Sequence, residues 1–239
     1  MSNFFGVKSL PLAACACAVF TGVCMPVLAE TVDLTVIGTI LPAACTPSLS
    51  GGGAIDYSSI DPGTLSPTAL TPLAEKVLTL TIACDAQVKV ALRAVNGRIN
   101  TAAGVTTPGT DSDGLTPVTL FGASTTGVAG LGLDGTVKIG GYAIRVTPGT
   151  VVADSNSVDS LRTTDIASAW TNDAQAGDLY DPATTRLISW GATGTTTPVG
   201  ITNLTGELSV QAYLNNVTEL SLSHQIVLDG LTTIELVYL

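Results

Sequence analysis

Wherever this chain is rich in β-branched residues, its apolar side chains recur at every second position. In Val77-Leu78-Thr79-Leu80-Thr81-Ile82 the residues Leu78, Leu80 and Ile82 share one face, and Val88, Val90 and Leu92 repeat the pattern beyond Asp85-Ala86. A period of two belongs to a strand with one face buried. Runs of this kind, bounded by Gly, Pro, Asn and Asp, predict strands over Lys76 to Cys84, Gln87 to Val95, Pro117 to Phe121, Val137 to Thr147, Arg186 to Trp190, Glu207 to Leu214 and Leu231 to Leu239. Helical periodicity is hard to find, so the expected fold class is all-β. Asn96 to Gly114 and Pro148 to Thr185 are rich in Gly, Thr, Ser, Asp and Asn. They read as long loops or edge excursions, with one short helical turn over Asp165 to Trp170.

The amino terminus has the layout of an export signal. One early cation, Lys8, is followed by an apolar stretch from Leu10 to Phe20 and a small-residue ending, Val27-Leu28-Ala29, before Glu30. Residues 1–29 are therefore expected to be a cleaved signal peptide. A retained anchor over Leu10 to Ala29 and a lipidated Cys15 in Leu12-Ala13-Ala14-Cys15 are the competing readings. Cleavage after Ala29 removes Cys15, Cys17 and Cys24 from a total of five cysteines and leaves Cys45 and Cys84. An even remainder in an oxidising compartment suggests one disulfide between them.

Directly behind that signal, Val32, Leu34, Val36 and Ile40 share one face of an extended chain, with Gly38 on the same face. Thr31, Asp33, Thr35 and Thr39 point the other way, with Ile37 the one apolar exception. Such a strand needs a partner. Folded back, it is an early strand of an ordinary sandwich; left free, it can fill a groove in a neighbouring molecule and build a polymer.

Charge and residue inventory narrow the function. The formal net charge is -10 and charged residues are 12% of the chain, so a nucleic-acid partner, which calls for clustered Lys and Arg, is not expected. His224 is the single histidine, no Gly-x-Ser-x-Gly elbow is present, and Cys45 and Cys84 are expected to be bonded to each other. His224 reads as a surface or edge residue, and zinc lacks ligands. Gly51-Gly52-Gly53 reads as a turn with permissive backbone angles, not a phosphate loop. Asp111-Ser112-Asp113-Gly114 and the Asp154 to Asp159 run offer oxygen ligands at spacings a calcium ion could use, against the blander reading of solvated turns. No pair of acids is marked out for glycan hydrolysis. Trp170, Tyr180 and Trp190 could form a sugar-stacking platform, with core packing as the alternative. No catalytic activity, cofactor or metal is expected.

Three features together resemble a pilin of chaperone-usher fimbriae. The first is the alternating segment with Gly38 ahead of Cys45, in Gly-Thr-Ile-Leu-Pro-Ala-Ala-Cys, which is similar to a donor strand leading into the first strand of such subunits. The second is Cys84, closing Val77 to Cys84 at a separation from Cys45 similar to that of the pilin disulfide. The third is the ending Thr233-Ile234-Glu235-Leu236-Val237-Tyr238-Leu239, preceded by Leu208-Ser209-Val210-Gln211-Ala212-Tyr213, which resembles the last two pilin strands with their penultimate tyrosine. More narrowly, Pro42 to Gly53 followed by Asp56-Tyr57 resembles the fimbria-like domain of unknown function 1120 family.

The resemblance implies an incomplete immunoglobulin-like (pilin) β-sandwich over residues 42–239 and an N-terminal donor-strand extension over residues 30–41. The donor face would be Val32, Leu34, Val36, Gly38 and Ile40. Partners implied are a periplasmic chaperone on the edge carrying Ile234, Leu236, Tyr238 and Leu239, an outer-membrane usher, and neighbouring pilin subunits. The implied function is a fimbrial subunit that polymerises by donor-strand exchange for surface adhesion. The rival is a monomeric secreted or periplasmic carbohydrate-binding sandwich, in which the first strand pairs within its own chain and Trp170 or Trp190 is exposed.

Overall fold

The structure, a computed structural model, describes residues 31–39, 43–105, 107–173 and 176–239. The expected signal peptide, residues 1–29, lies outside the described residues, as does Ile40 of the expected donor face.

Nine strands of four or more residues carry the fold: β1 (Cys45–Leu49), β2 (Lys76–Val88), β3 (Val90–Asn96), β4 (Gly127–Gly130), β5 (Gly140–Val146), β6 (Asn156–Thr163), β7 (Leu187–Ala192), β8 (Ile201–Leu214) and β9 (Thr232–Tyr238). No α-helix occurs among the described residues. The strands pair antiparallel in two layers, β1-β2-β8-β5-β4 and β9-β3-β7-β6. The short strand Val152–Ala153 pairs with both β6 and β8 and ties the layers at one end.

Inward-facing residues of both layers share one core. Leu80 and Ile82 on β2, Leu204 and Leu208 on β8, Leu92 on β3, and Ile188 and Trp190 on β7 are all buried in it. The alternation read in Leu78, Leu80 and Ile82 is the inward face of β2, whose solvent face carries Val77 and Thr79. This is an antiparallel β-sandwich, with the period-two signal explained by one wet and one dry face per strand.

Three expectations change. Pro117 to Phe121 is not a strand: Pro117 offers no N–H to a ladder, and the backbone turns at Phe121 (φ 52°) and Gly122 (φ 79°) while Leu120 and Ala123 exchange hydrogen bonds. Pro148 to Thr185 contains β6, hidden because a polar residue is buried on each of its faces, Ser160 beside Val158 on one and Thr163 beside Leu161 on the other. Asp165 to Trp170 forms one turn, closed by Ser168 N–H donating to Asp165 C=O at 3.0 Å, and no helix.

The Asn96 to Gly114 segment is a loop, yet a packed one. Its Ala102 and Ala103 meet Leu120, Val128, Ala143 and Tyr213 in a second apolar cluster, and Tyr213 Oη donates to Ala103 C=O at 2.7 Å. Asp113 organises the loop. Its buried carboxylate accepts from Asn96 Nδ2 and Asn100 N at 2.7 Å each, and from Ala102 N.

Another acid is buried less comfortably. Asp178 lies against β5 near Arg145, and burial, outweighing the attraction of Arg186 and Arg145, pushes its pKa up to about 6. The unfolded chain therefore releases this proton first. The group adds no penalty below the unfolded pKa of about 4, and its cost is complete above about 6, so its contribution to stability falls as pH rises through that window. Two pKa units correspond to about 3 kcal/mol. Asp178→Asn should flatten this fall, gaining stability over the wild type at neutral pH and little at about pH 4. Urea unfolding of both proteins at the two pH values checks it; equal pH dependence in the two would contradict it.

Candidate functional site

One side of the sandwich is left open by the way its first and last strands end. β1 pairs with β2 alone, from Cys45 opposite Cys84 to Leu49 opposite Leu80, and the two cysteines are disulfide-bonded within that register. The chain then leaves the sheet through Gly51, Gly52 and Gly53, whose φ values of 60°, 67° and 78° are left-handed in succession, a path that glycine takes at little steric cost. On the other layer β9 pairs with β3 alone, from Thr232 opposite Asn96 to Tyr238 opposite Val90. Both strands are thus edges, among the described residues, of two different sheets.

Between them runs a groove in two hollows of about 670 and 350 Å³ that share lining residues, the smaller mainly apolar and the larger lined also by Asp56, Ser58, Ser59, His224 and Gln225. Ile55, Tyr57 and Leu228 line both and form the sill where the hollows meet. The smaller hollow has Leu49 and Ala54 on one wall, Thr232 and Ile234 on the other, and Leu78 and Val210 in its lining. The larger lies between Ile60 and Leu65 on one side and Leu220 and Ile226 on the other. Leu49, Ile55, Tyr57, Ile226, Leu228, Ile234 and Leu236 pack against the core but are only partly buried. The apolar interior therefore reaches solvent along this side, a costly exposure for a sandwich of this size.

Few polar contacts bridge the opening. Cys45 N–H donates to Tyr238 Oη at 2.9 Å, joining the start of β1 to the end of β9. Tyr57 Oη accepts from Ala212 N at 3.1 Å, satisfying a β8 amide beyond the stretch that β2 pairs. Burial raises the Tyr57 pKa, so its hydroxyl stays protonated at neutral pH. At the inner end of β9, Thr232 Oγ1 bonds both Tyr142 Oη (2.6 Å) and Tyr180 Oη (2.8 Å). Burial pushes the Tyr142 pKa up to about 12, and the Tyr180 pKa is raised likewise.

Protein GltF of Escherichia coli (strain K12) is 32% identical to this chain over 254 residues, spanning 98% of the chain and all of GltF. The uncharacterized protein YhcF of the same strain is 31% identical over 228 residues, spanning 88% of the chain and 92% of YhcF. Residues 34–143 match the family described as protein of unknown function (DUF1120). The chain belongs to that family. No solved structure matches it.

Within this DUF1120 chain, the match covers β1, the glycine turn, the sill residues Ile55 and Tyr57, and β2 to β5 up to Ala143. Of the residues expected to act, Ile234 and Leu236 face the core from β9, half-buried. Tyr238 shares their parity but is 46% exposed, its hydroxyl reaching Cys45. Leu239 N–H donates to Lys89 C=O at 3.1 Å, and its side chain is exposed. In the separate N-terminal unit, residues 31–39 have no regular secondary structure, and Val32, Leu34 and Val36 are 95%, 89% and 88% exposed. Gly38 has no atom within 4 Å of where a Cβ would sit.

The weaker candidates resolve into structure. Asp111 pairs with Arg93 at 2.6 Å, and Asp154 accepts from the Thr202 and Asn203 amides. Neither acidic run forms an ion cage: no group of three potential ligands gathers among the described residues. His224 Nε2 lies 2.9 Å from Asp134 Oδ1 at the surface. Trp190 and Tyr180 are core residues, so no three-ring platform exists; Trp170 alone remains half-exposed. Sequence reasoning passed over the groove walls at Ile55 to Ile60 and Ile226 to Leu228. Their spacing in Ile55-Asp56-Tyr57 and Ile226-Val227-Leu228 carries the period-two signal, but each run is too short to register as a strand.

No helix among the described residues is long and apolar enough to cross a membrane.

Proposed function

We propose that this chain is a structural subunit of a chaperone-usher-type fimbria, exported through the periplasm and polymerised by donor-strand exchange for surface adhesion. The observation that carries this reading is a groove, apolar in its smaller hollow, between two edge strands that are each paired on one side only among the described residues, in a chain that also has an alternating apolar segment outside any strand. An extended segment laid along β9 would add backbone hydrogen bonds to its free edge and place alternate side chains into the groove. Val32, Leu34, Val36 and Ile40 of one subunit supply those side chains to the next. Gly38 passes over the sill at Ile55, Tyr57 and Leu228, the residues that line both hollows.

Before assembly the same edge, with Ile234, Leu236, Tyr238 and Leu239, is held by a periplasmic chaperone and handed over at an outer-membrane usher. Leaving it bare would template aggregation. The proposed function needs no chemistry at the groove. Similarity to two Escherichia coli proteins supports the reading through cell type, since a periplasm and an outer membrane are what the route requires.

The test is to join a second copy of residues 30–41 after Leu239 by a flexible linker, so that the groove is filled in cis. The fused protein should accumulate as a monomer without chaperone and melt far above the unfused chain. The reading fails if the unfused protein is already a stable monomer whose melting the fusion leaves unchanged.

A further inference from the structure

Ile37 has no part in the row of side chains that would fill the groove. It is the one apolar residue on the face shared by Thr31, Asp33, Thr35 and Thr39, and it is 89% exposed. The accepting wall has unexplained residues of its own. Val227 and Leu231, large aliphatic side chains lining the larger and the smaller hollow respectively, are 66% and 46% exposed.

That wall is longer than β9. Residues 225–231 lead into the strand without turn or bend, and its alternation already runs through them: Ile226 and Leu228 are half-buried, as Thr232, Ile234 and Leu236 are after them, while Val227, Asp229 and Leu231 are exposed. Gly230 keeps the inward parity, since a Cβ there would meet Tyr142 and Leu131. The backbone alternates as well. Leu231 C=O accepts from Gly97 N–H at 2.8 Å, Leu239 N–H donates to Lys89 C=O at 3.1 Å, and Asp229 C=O accepts from Arg98 Nε at 3.0 Å, so the odd-numbered residues bond on the β3 side. The even-numbered ones turn their N–H and C=O toward the groove, and no hydrogen bond engages the backbone of Leu228 or Gly230 among the described residues.

A strand laid on this edge with Gly38 over the sill residue Leu228 can run two ways. Parallel to the wall, it would set Leu34 at His224 and Val32 at Leu222, which belong to a turn and bend and offer no ladder. Antiparallel, it sets Val36 opposite Gly230, bulk against a missing side chain, then Leu34 opposite Thr232 and Val32 opposite Ile234, along the smaller hollow. The same register places Ile37 opposite Asp229 on the outward face, with Val227 and Leu231 as its two diagonal neighbours, about 7 to 8 Å away and within reach of long side chains. A slide of two residues in either direction keeps the inward row inward but takes Ile37 away from one of the two. Only this register covers both.

We propose that Ile37 is a register-setting contact of the donor segment, seated between Val227 and Leu231 of the accepting copy on the solvent side of the groove. Its role rests on the donor-strand reading and adds to it a residue outside the groove-filling row.

The experiment uses the mature chain with a second copy of residues 30–41 joined after Leu239 by a flexible linker, and reads its melting temperature against the unfused chain. Ile37→Thr in the added copy makes the outward face wholly polar and should lower the melting temperature of the fused protein by about 2 to 4 °C, as loss of a cross-strand apolar contact predicts for a chain of this size. Val227→Thr should do the same in the fused protein and leave the unfused chain unchanged, because Val227 is exposed there. The two changes together should cost less than the sum of their separate shifts. Disulfide trapping reads the register. Asp33→Cys in the added copy should bond Thr233→Cys about tenfold faster than Thr31→Cys or Thr35→Cys does, since only the directly opposed pair has its Cα atoms close enough. A fused protein that melts no higher than the unfused chain overturns the donor-strand reading and the role of Ile37 with it. A fused protein that melts higher, but in which Ile37→Thr and Val227→Thr are both silent or trapping is fastest from Thr31→Cys or Thr35→Cys, overturns the role of Ile37 alone.

Discussion

Under the proposed donor-strand exchange, deleting residues 30–41 should give a subunit that can accept a strand but not donate one, and Ile234→Asp one that can donate but not accept. Each alone should remain unassembled in the presence of chaperone, whereas the two together should form a closed heterodimer and nothing longer. In the proposed exchange the donor would contribute Val32, Leu34, Val36 and Ile40. Burying four such side chains stabilises the pair by roughly 6 to 12 kcal/mol, an upper estimate before ordering entropy is subtracted. An aspartate at position 234 removes an apolar wall of the smaller hollow and places a carboxylate where it would lose water on strand insertion, so acceptance is lost outright. Size-exclusion chromatography of the single proteins and the mixture reads the result. Gly38→Leu sharpens it: simple hydrophobic gain predicts tighter pairing, while a shallow subsite under Gly38 predicts overpacking by roughly 1 to 3 kcal/mol and slower assembly. Assembly by the deleted chain alone, or a mixture that stays monomeric, would refute donor-strand exchange here.

Replacing both Cys45 and Cys84 by serine should cost the fold about 4 kcal/mol, the chain-entropy estimate for a closed loop of this size. The sequence separation is 39 and the cysteines face each other at the first register position of β1 against β2. β1 is short and is held by β2 on one side only, so the disulfide anchors an edge strand that forms one rim of the groove. Without it, β1 relies on its ladder and on the bond from Cys45 N–H to Tyr238 Oη. The double variant should therefore unfold at lower urea and should also accept a donor strand less well. A loss below about 1 kcal/mol would mean that the unfolded chain gains little freedom when the bridge is removed.

Some of this was legible in residue order. The all-β class, β2, β3, β5, β7 and β9 to within a few residues, the second half of β8 and the inward faces of Leu78, Leu80, Ile82, Ile234 and Leu236 follow from a period of two, because burial on one face of a strand is a local property, and the cysteine pair follows from the export signal and the even count it leaves. The glycine run was legible for the same reason, since consecutive left-handed angles depend on the residues themselves. Long-range arrangement was not. β6 is written largely in Asn, Ser, Asp and Thr, and it became a strand because β7 pairs with it and the core covers its inner face. Asp113 looked like a solvated turn residue and is a buried acceptor for three groups brought in from the preceding loop. Trp170 and Trp190 are alike in composition, and only packing sent one to the core and left the other at the surface. The groove itself is the clearest case. Alternation in β9 is the same whether the neighbouring edge is filled or empty, and it took the pairing of β1 with β2 and of β9 with β3, in separate sheets, to leave the space between them open.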